Sequence, residues 1–190
     1  MPSTPTLILA SGSPRRRELL TMLGIPFEVR RSHIPEAPHP GELPIPYAER
    51  LAREKALSIP GALVLGADTT VLLEGELLEK PVDVEDALRM LRRLQGRTHE
   101  VITSVVLVSA GVLRQATDIT RVTFLPATDA YLRAYIATGE PMDKAGAYGI
   151  QGYGAALVER IEGDFFGVMG LPLRLVLRLL EEAGFPYRFV

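Results

Sequence analysis

A chain of 190 residues, 47% hydrophobic and 23% charged, has the size and balance of one globular domain, read here as a single domain over residues 1–190. A formal net charge of −2 supplies no basic field for nucleic acid, and the absence of cysteine excludes disulfides, thiolate metal sites and a cysteine nucleophile. No apolar run approaches a membrane span, and the opening MPSTPTLILA lacks the basic start of a signal peptide, so a cytoplasmic protein without membrane or nucleic-acid partners is expected.

Thr6–Ala10 reads as a short buried strand, Pro14–Leu23 as a helix stopped by Gly24, and Phe27–Arg31 as a second strand. Ser32–Pro46 is proline-rich and reads as a loop whose chemically notable residues are His33, Glu36 and His39. Pro46–Ile59 fits a helix opened by proline, with Arg50, Arg53, Glu54 and Lys55 on its polar face. Ala62–Leu73 is strand-like and meets Leu77–Glu79 across Glu74-Gly75. Asp83–Gln95 is an amphipathic helix with Asp83 as its cap. His99–Ser109 and Val112–Phe124 form a hairpin, and Thr128–Thr138 is a helix closed by Gly139. Glu140–Gly154 is glycine-rich and without period. Ala155–Glu162 and Phe165–Met169 are expected to form a last hairpin before a helix over Leu171–Ala183. Helices that alternate with both single strands and hairpins imply an α/β fold with a mixed sheet and flanking helices.

Two segments carry chemistry. In Ala10–Arg17 (ASGSPRRR) a strand ends, Ser13 is placed to cap a helix and Pro14 takes its first position. Arg15, Arg16 and Arg17 then sit at the positive end of the helix dipole, where each costs about a few tenths of a kcal/mol. A bound anion reverses that sign, because backbone N–H groups and guanidinium forks converge on it. The alternative is that the arginines splay into water. In Ala62–Leu73 the apolar run is broken by Asp68, Thr69 and Thr70. A buried carboxylate needs a cation, a set of backbone donors or a bound metal, and beside a phosphate site it can act as a general base. Gly66 permits close approach of another group. Lys80 follows the partner strand, so the turn could return it towards Asp68, and it is one of only three lysines beside 18 arginines, with Lys55 and Lys144. His99 reads as structural rather than catalytic.

The motifs SGSPRR from Ser11, RLAREKA from Arg50, GADT from Gly66, EKP from Glu79, GRTHEV from Gly96 and DKAGAYGIQG from Asp143 together resemble the Maf family of nucleotide pyrophosphatases. The resemblance spans Leu7 to about Gly184. It implies a Maf/inosine-triphosphatase-like fold with two lobes around a cleft, often a homodimer. It also implies hydrolysis of a nucleoside triphosphate between the α- and β-phosphates with a divalent cation, Mg²⁺ or Mn²⁺. By motif, Asp68 takes the catalytic base position, and Ser11, Arg15, Arg16, Glu36 and Lys80 take phosphate-binding or polar active-site positions. Asp68 and Glu36 are the candidate metal ligands. Arg15, Thr69 and Gln151 match the branch selective for dTTP and UTP, where a side-chain amide offers the donor and acceptor that the edge of thymine or uracil requires. The alternatives are a 7-methyl-GTP pyrophosphatase of the same family and a non-catalytic nucleotide-binding regulator. The biological purpose, removal of modified nucleotides or arrest of cell division, stays open.

Overall fold

The computed structural model describes residues 5–189; the first four residues of the MPSTPTLILA stretch and Val190 lie outside the described residues. In chain order the elements are β1 (Leu7–Leu9), α1 (Pro14–Met22), β2 (Phe27–Val29), α2 (Pro44–Leu57), β3 (Leu63–Leu73), β4 (Glu76–Leu78), α3 (Val84–Leu94), β5 (Thr98–Ser109), β6 (Val112–Phe124), α4 (Asp129–Ile136), β7 (Val158–Glu162), α5 (Phe165–Met169) and α6 (Leu173–Glu182). Short 3₁₀ segments occupy Glu140–Asp143, Ala145–Ala147 and Gly152–Leu157. The seven strands form one sheet in the order β2-β1-β3-β5-β6-β7, with β4 paired to β3. β1 runs parallel to β2 and β3, whereas the β3–β4 and β6–β7 pairs are antiparallel, so the sheet is mixed. No helix among the described residues is long and apolar enough to cross a membrane.

The chain divides into two compact units, with the first boundary falling between Asp68 and Thr69 on β3. One unit holds the residues up to Asp68, Thr103–Asp118 and the chain from Gly170. A small-residue core of Ile8, Ala10, Ala52, Ala56, Val64 and Val106 joins β1, β3 and β5 to α2. α2 starts earlier than expected because Pro44 and Pro46 both fit its first turn, where a missing N–H has no helical partner to lose. The second unit holds Thr69–Ile102 and Ile119–Met169. α3 is its main apolar donor: Leu88, Leu91 and Leu94 are fully buried, each contributing about 1.5–3 kcal/mol. Its ends follow electrostatic rules, with Asp83 accepting from Asp86 N (2.8 Å), Glu85 and Asp86 in the first turn, and Arg92 and Arg93 in the last.

One predicted element is wrong. Phe165–Met169 is helical, not the second arm of a hairpin, and β7 pairs with β6 instead. Asp164 starts the helix: its carboxylate accepts from Gly167 N (3.0 Å), and its own N–H is held by Thr120 Oγ1 (2.7 Å), 44 residues away. What reads as a turn residue is a helix cap.

Candidate functional site

The start of α1 shows three arginines in three situations. Arg17 is exposed, Arg15 is half-buried, and Arg16 is buried at 8% exposure. Ser13 caps the helix by accepting from Arg16 N, and Ser13 N donates to Ser11 Oγ at 3.2 Å. The Arg16 guanidinium donates to the same Ser11 Oγ (3.2 Å) and, through Nε, to the carbonyl of Gly170 (2.7 Å). Burial pulls the Arg16 pKa below its ordinary value, Asp68 and Glu36 oppose this, and Arg15 adds to it. Arg16 is thus a buried guanidinium within the field of Asp68, Arg15 and Glu36. Arg17 is exposed, as the splaying alternative has it, whereas Arg16 is turned inward onto protein acceptors.

Asp68 lies on β3 at 5% exposure, and the cation it meets is Lys55, whose Nζ donates to Asp68 Oδ1 at 2.7 Å. The same Nζ is 2.8 Å from Glu36 Oε1. One buried ammonium thus bridges two carboxylates, which neutralises part of the charge that burial penalises. Lys55 is not on the polar face of α2, where its sequence position suggests: it is 6% exposed and lies in the buried stripe with Ala48, Leu51, Ala52 and Ala56. That stripe has the i, i+3, i+4, i+7 spacing of a helix face turned to the core, so a lysine within it was the available signal.

Gly66 explains how α2 comes so close. A Cβ there would lie 2.3 Å from Ala52 O and 2.7 Å from Ala56 N, so the strand rests directly on the helix backbone. Gly66 and Asp68 are two residues apart and share a strand face, while Ala52, Lys55 and Ala56 share a helix face. The contact that needs a glycine therefore sets Lys55 against Asp68.

Glu36 reaches Lys55 from the proline-rich loop, and Arg50 fixes that loop. Its guanidinium donates to Glu42 Oε1 and Oε2, both at 2.7 Å, and to Ala37 O at 2.9 Å. Tyr47 Oη donates to Glu36 O at 3.4 Å. The hydrogen bond from Arg50 holds the Glu42 carboxyl down at about 2. This role of Arg50 is invisible in the sequence because Glu42 and Ala37 lie in an irregular segment; only its i,i+4 pairing with Glu54 on α2 follows a helical spacing.

In the second unit, Thr69 is half-buried on β3, Lys80 is exposed after β4, and Gln151 is half-buried just before the Gly152–Leu157 segment. His99 is 2% exposed, hydrogen-bonded through Nε2 to Tyr148 Oη at 2.8 Å, and ringed by Phe124 and Tyr148 in edge-to-face contact. Burial holds its pKa down at about 4, as suits a neutral structural histidine. His33 and His39 are exposed, and no group of three or more His, Asp or Glu residues among the described residues is placed to hold a metal unaided.

A mixed sheet with flanking helices, a helix start that carries three arginines and a lysine-bridged carboxylate pair define the class of this α/β protein. The chain belongs to the Maf-like protein family, whose model matches residues 6–183. It is 52% identical over 186 residues to a dTTP/UTP pyrophosphatase of Anaeromyxobacter dehalogenans, covering 96% of each chain. It is 50% identical over 182 residues to one of Koribacter versatilis, covering 94% of each. With one of Symbiobacterium thermophilum it shares 48% identity over 184 residues and 95% of each chain.

Proposed function

We propose that this protein hydrolyses dTTP and UTP to the monophosphate and pyrophosphate. The observation that carries the reading is the buried Asp68, held through one oxygen by Lys55 beside Glu36 and within the field of Arg16. Near full-length similarity to relatives that bear the name dTTP/UTP pyrophosphatase supports the substrate assignment. A single family model running through both compact units supports treating residues 1–190 as one Maf-like domain.

In this reading Ser11, Arg15, Arg16 and the α1 N-terminus bind the phosphates, and Lys80 contributes further positive charge. Asp68 takes a proton from water as the water oxygen attacks the α-phosphorus. The bond from that phosphorus to the α,β-bridging oxygen breaks, and pyrophosphate leaves with the electron pair, its charge met by arginine and lysine. Lys55 fixes the orientation of the base. Arg15, Thr69 and Gln151 select the base of the nucleotide.

The residues present fit a divalent cation. Asp68 and Glu36 are hard oxygen donors that reach the same Lys55 Nζ, and two carboxylates plus substrate phosphates are a usual set for Mg²⁺ bound with a nucleotide. When bound, Mg²⁺ or Mn²⁺ supplies positive charge to the phosphate oxygens. A cytoplasmic homodimer acting on free nucleotides, without a nucleic-acid or membrane partner, completes the proposal.

Asp68→Asn tests the chemistry. The expected result is a fall in turnover of at least about 10²-fold, the lower end for loss of a general base, with the thermal unfolding transition retained. Near-normal hydrolysis of dTTP by that variant removes Asp68 as the base. Tight nucleotide binding without pyrophosphate release by the wild type identifies a regulator instead, and a preference for 7-methyl-GTP moves the protein to the other branch.

A further inference from the structure

Glu140 performs a task that the reaction above does not use. It is half-buried and opens the Glu140–Asp143 segment, eleven residues before Gln151. Its Oε1 accepts from Tyr135 Oη and from Gly154 N, both at 2.9 Å, and its Oε2 accepts from Tyr153 N at 2.9 Å. Tyr135 Oη in turn accepts from Gly149 N at 3.1 Å. One carboxylate and one phenol therefore hold backbone N–H groups on both sides of Gln151, at 149, 153 and 154. The packing is close: a Cβ on Gly152 would lie 2.4 Å from Glu140 Oε2, and one on Gly154 would lie 2.8 Å from Tyr135 Oη. Lys144 closes the arrangement by donating to the Glu140 carbonyl and ion-pairing with Asp143.

A carboxylate suits this task for a physical reason. It is acceptor-only, so both oxygens take backbone donors without a wrong orientation, and each such bond is charge-assisted. A glutamine in its place would turn an NH₂ group toward one of those N–H donors. The segment has no strand ladder to set its course, so the side chain supplies the acceptors that a ladder would have supplied.

We propose that Glu140, acting with Tyr135, is a positioning residue for base selection: it sets the backbone that aims the Gln151 amide. The inference rests on the reading of Gln151 as the base-selecting residue. Uracil presents an acceptor at O4 beside a donor at N3, and cytosine presents the reverse at the same edge. A side-chain amide distinguishes the two only if its O and N are held at the right places. Loosening the Gly149–Gly154 backbone removes that constraint while leaving Gln151 in the chain.

The test measures kcat and KM for UTP and for CTP in the wild type, Gln151→Ala, Glu140→Gln and Tyr135→Phe, with hydrogen exchange at the Tyr153 and Gly154 amides. Glu140→Gln is expected to lower the UTP-over-CTP ratio of kcat/KM about tenfold, the factor that one charge-assisted hydrogen bond is worth. The loss falls mainly on KM for UTP, and both amides exchange faster. Tyr135→Phe is expected to act in the same direction by about threefold, a neutral hydrogen bond's share. A purely structural Glu140 would lower stability without moving the ratio. If Gln151→Ala collapses the ratio and Glu140→Gln keeps it, the positioning role is wrong and the Gln151 reading stands. If the wild type shows no preference, or Gln151→Ala retains it, the underlying reading falls and this inference falls with it. Should Glu140→Gln fail to fold, an unchanged ratio in Tyr135→Phe overturns the proposal by itself.

Discussion

Replacing Gly66 by alanine adds a single methyl group at the contact on which the candidate site depends. The new Cβ would stand 2.3 Å from Ala52 O, 2.7 Å from Ala56 N and 2.9 Å from Ala56 Cβ. Two of these partners are helix backbone, so rotating a side chain gives no relief. Restoring ordinary contact requires β3 and α2 to separate by roughly 1 Å, and overpacking of this kind costs about 1–3 kcal/mol. For a chain of this length that lowers Tm by roughly 2–12 °C. The same separation acts on the 2.7 Å Lys55–Asp68 hydrogen bond, which passes out of the effective range if the side chains do not follow. A misplacement of about 1 Å in a catalytic group costs on the order of 10²-fold in rate. Calorimetry and pyrophosphate release measured on the same preparation check both effects. Gly75→Ala is the control: its turn position has a positive φ and nothing within 4 Å, so it should cost about 1 kcal/mol and leave turnover alone. Wild-type Tm and wild-type kcat in Gly66→Ala would show that the strand–helix approach does not set the site.

Lys55→Met leaves Asp68 buried without its ammonium, at a cost of about 3–5 kcal/mol, and adding Asp68→Asn should recover part of it; strictly additive urea midpoints would mean the pair is not coupled. Arg50→Lys should raise KM for UTP several-fold, because one ammonium cannot replace a planar fork on Glu42 and Ala37; an unchanged KM would detach Glu36 from substrate binding. The unfolded chain protonates histidine near 6.5 and the folded chain holds His99 at about 4, so stability falls as pH drops between those values, by about 3 kcal/mol in all. His99→Gln should flatten urea midpoints across that window, and a slope equal to that of the wild type would locate the proton uptake elsewhere. Glu42 titrates near 4.5 when unfolded and about 2 when folded, so its contribution is present above 4.5 and lost as pH falls toward 2. Glu42→Gln should remove that separate, more acidic slope, and a wild-type slope below pH 4 in the variant would argue against it.

Most elements were legible in the sequence because their signals are local. Asp83 and Ser13 cap helices where their side chains predict, and the apolar runs of β3, β5 and β6 are long enough to leave little choice. Phe165–Met169 was not legible, because Gly163-Asp164 carries the same composition whether it turns a hairpin or caps a helix, and Thr120 decides from 44 residues away. For the candidate site, Asp68 stood out as a carboxylate in an apolar strand, and Gly66 as a place for close approach. The identity of the approaching group did not stand out, since the pairing of Lys55 with Asp68 depends on which face of α2 meets β3. Arg50 and Glu140 escaped for a related reason. Both act on irregular backbone, where no periodicity predicts which N–H or carbonyl needs a partner.

The most direct measurement incubates the purified protein and Mg²⁺ or Mn²⁺ with dTTP, UTP, CTP, GTP and 7-methyl-GTP, and resolves the products by anion exchange. The expected products are TMP from dTTP and UMP from UTP, each with an equal amount of pyrophosphate, and kcat/KM for dTTP and UTP should exceed that for the other three. Release of inorganic phosphate with a nucleoside diphosphate, or no turnover of any triphosphate, would contradict it.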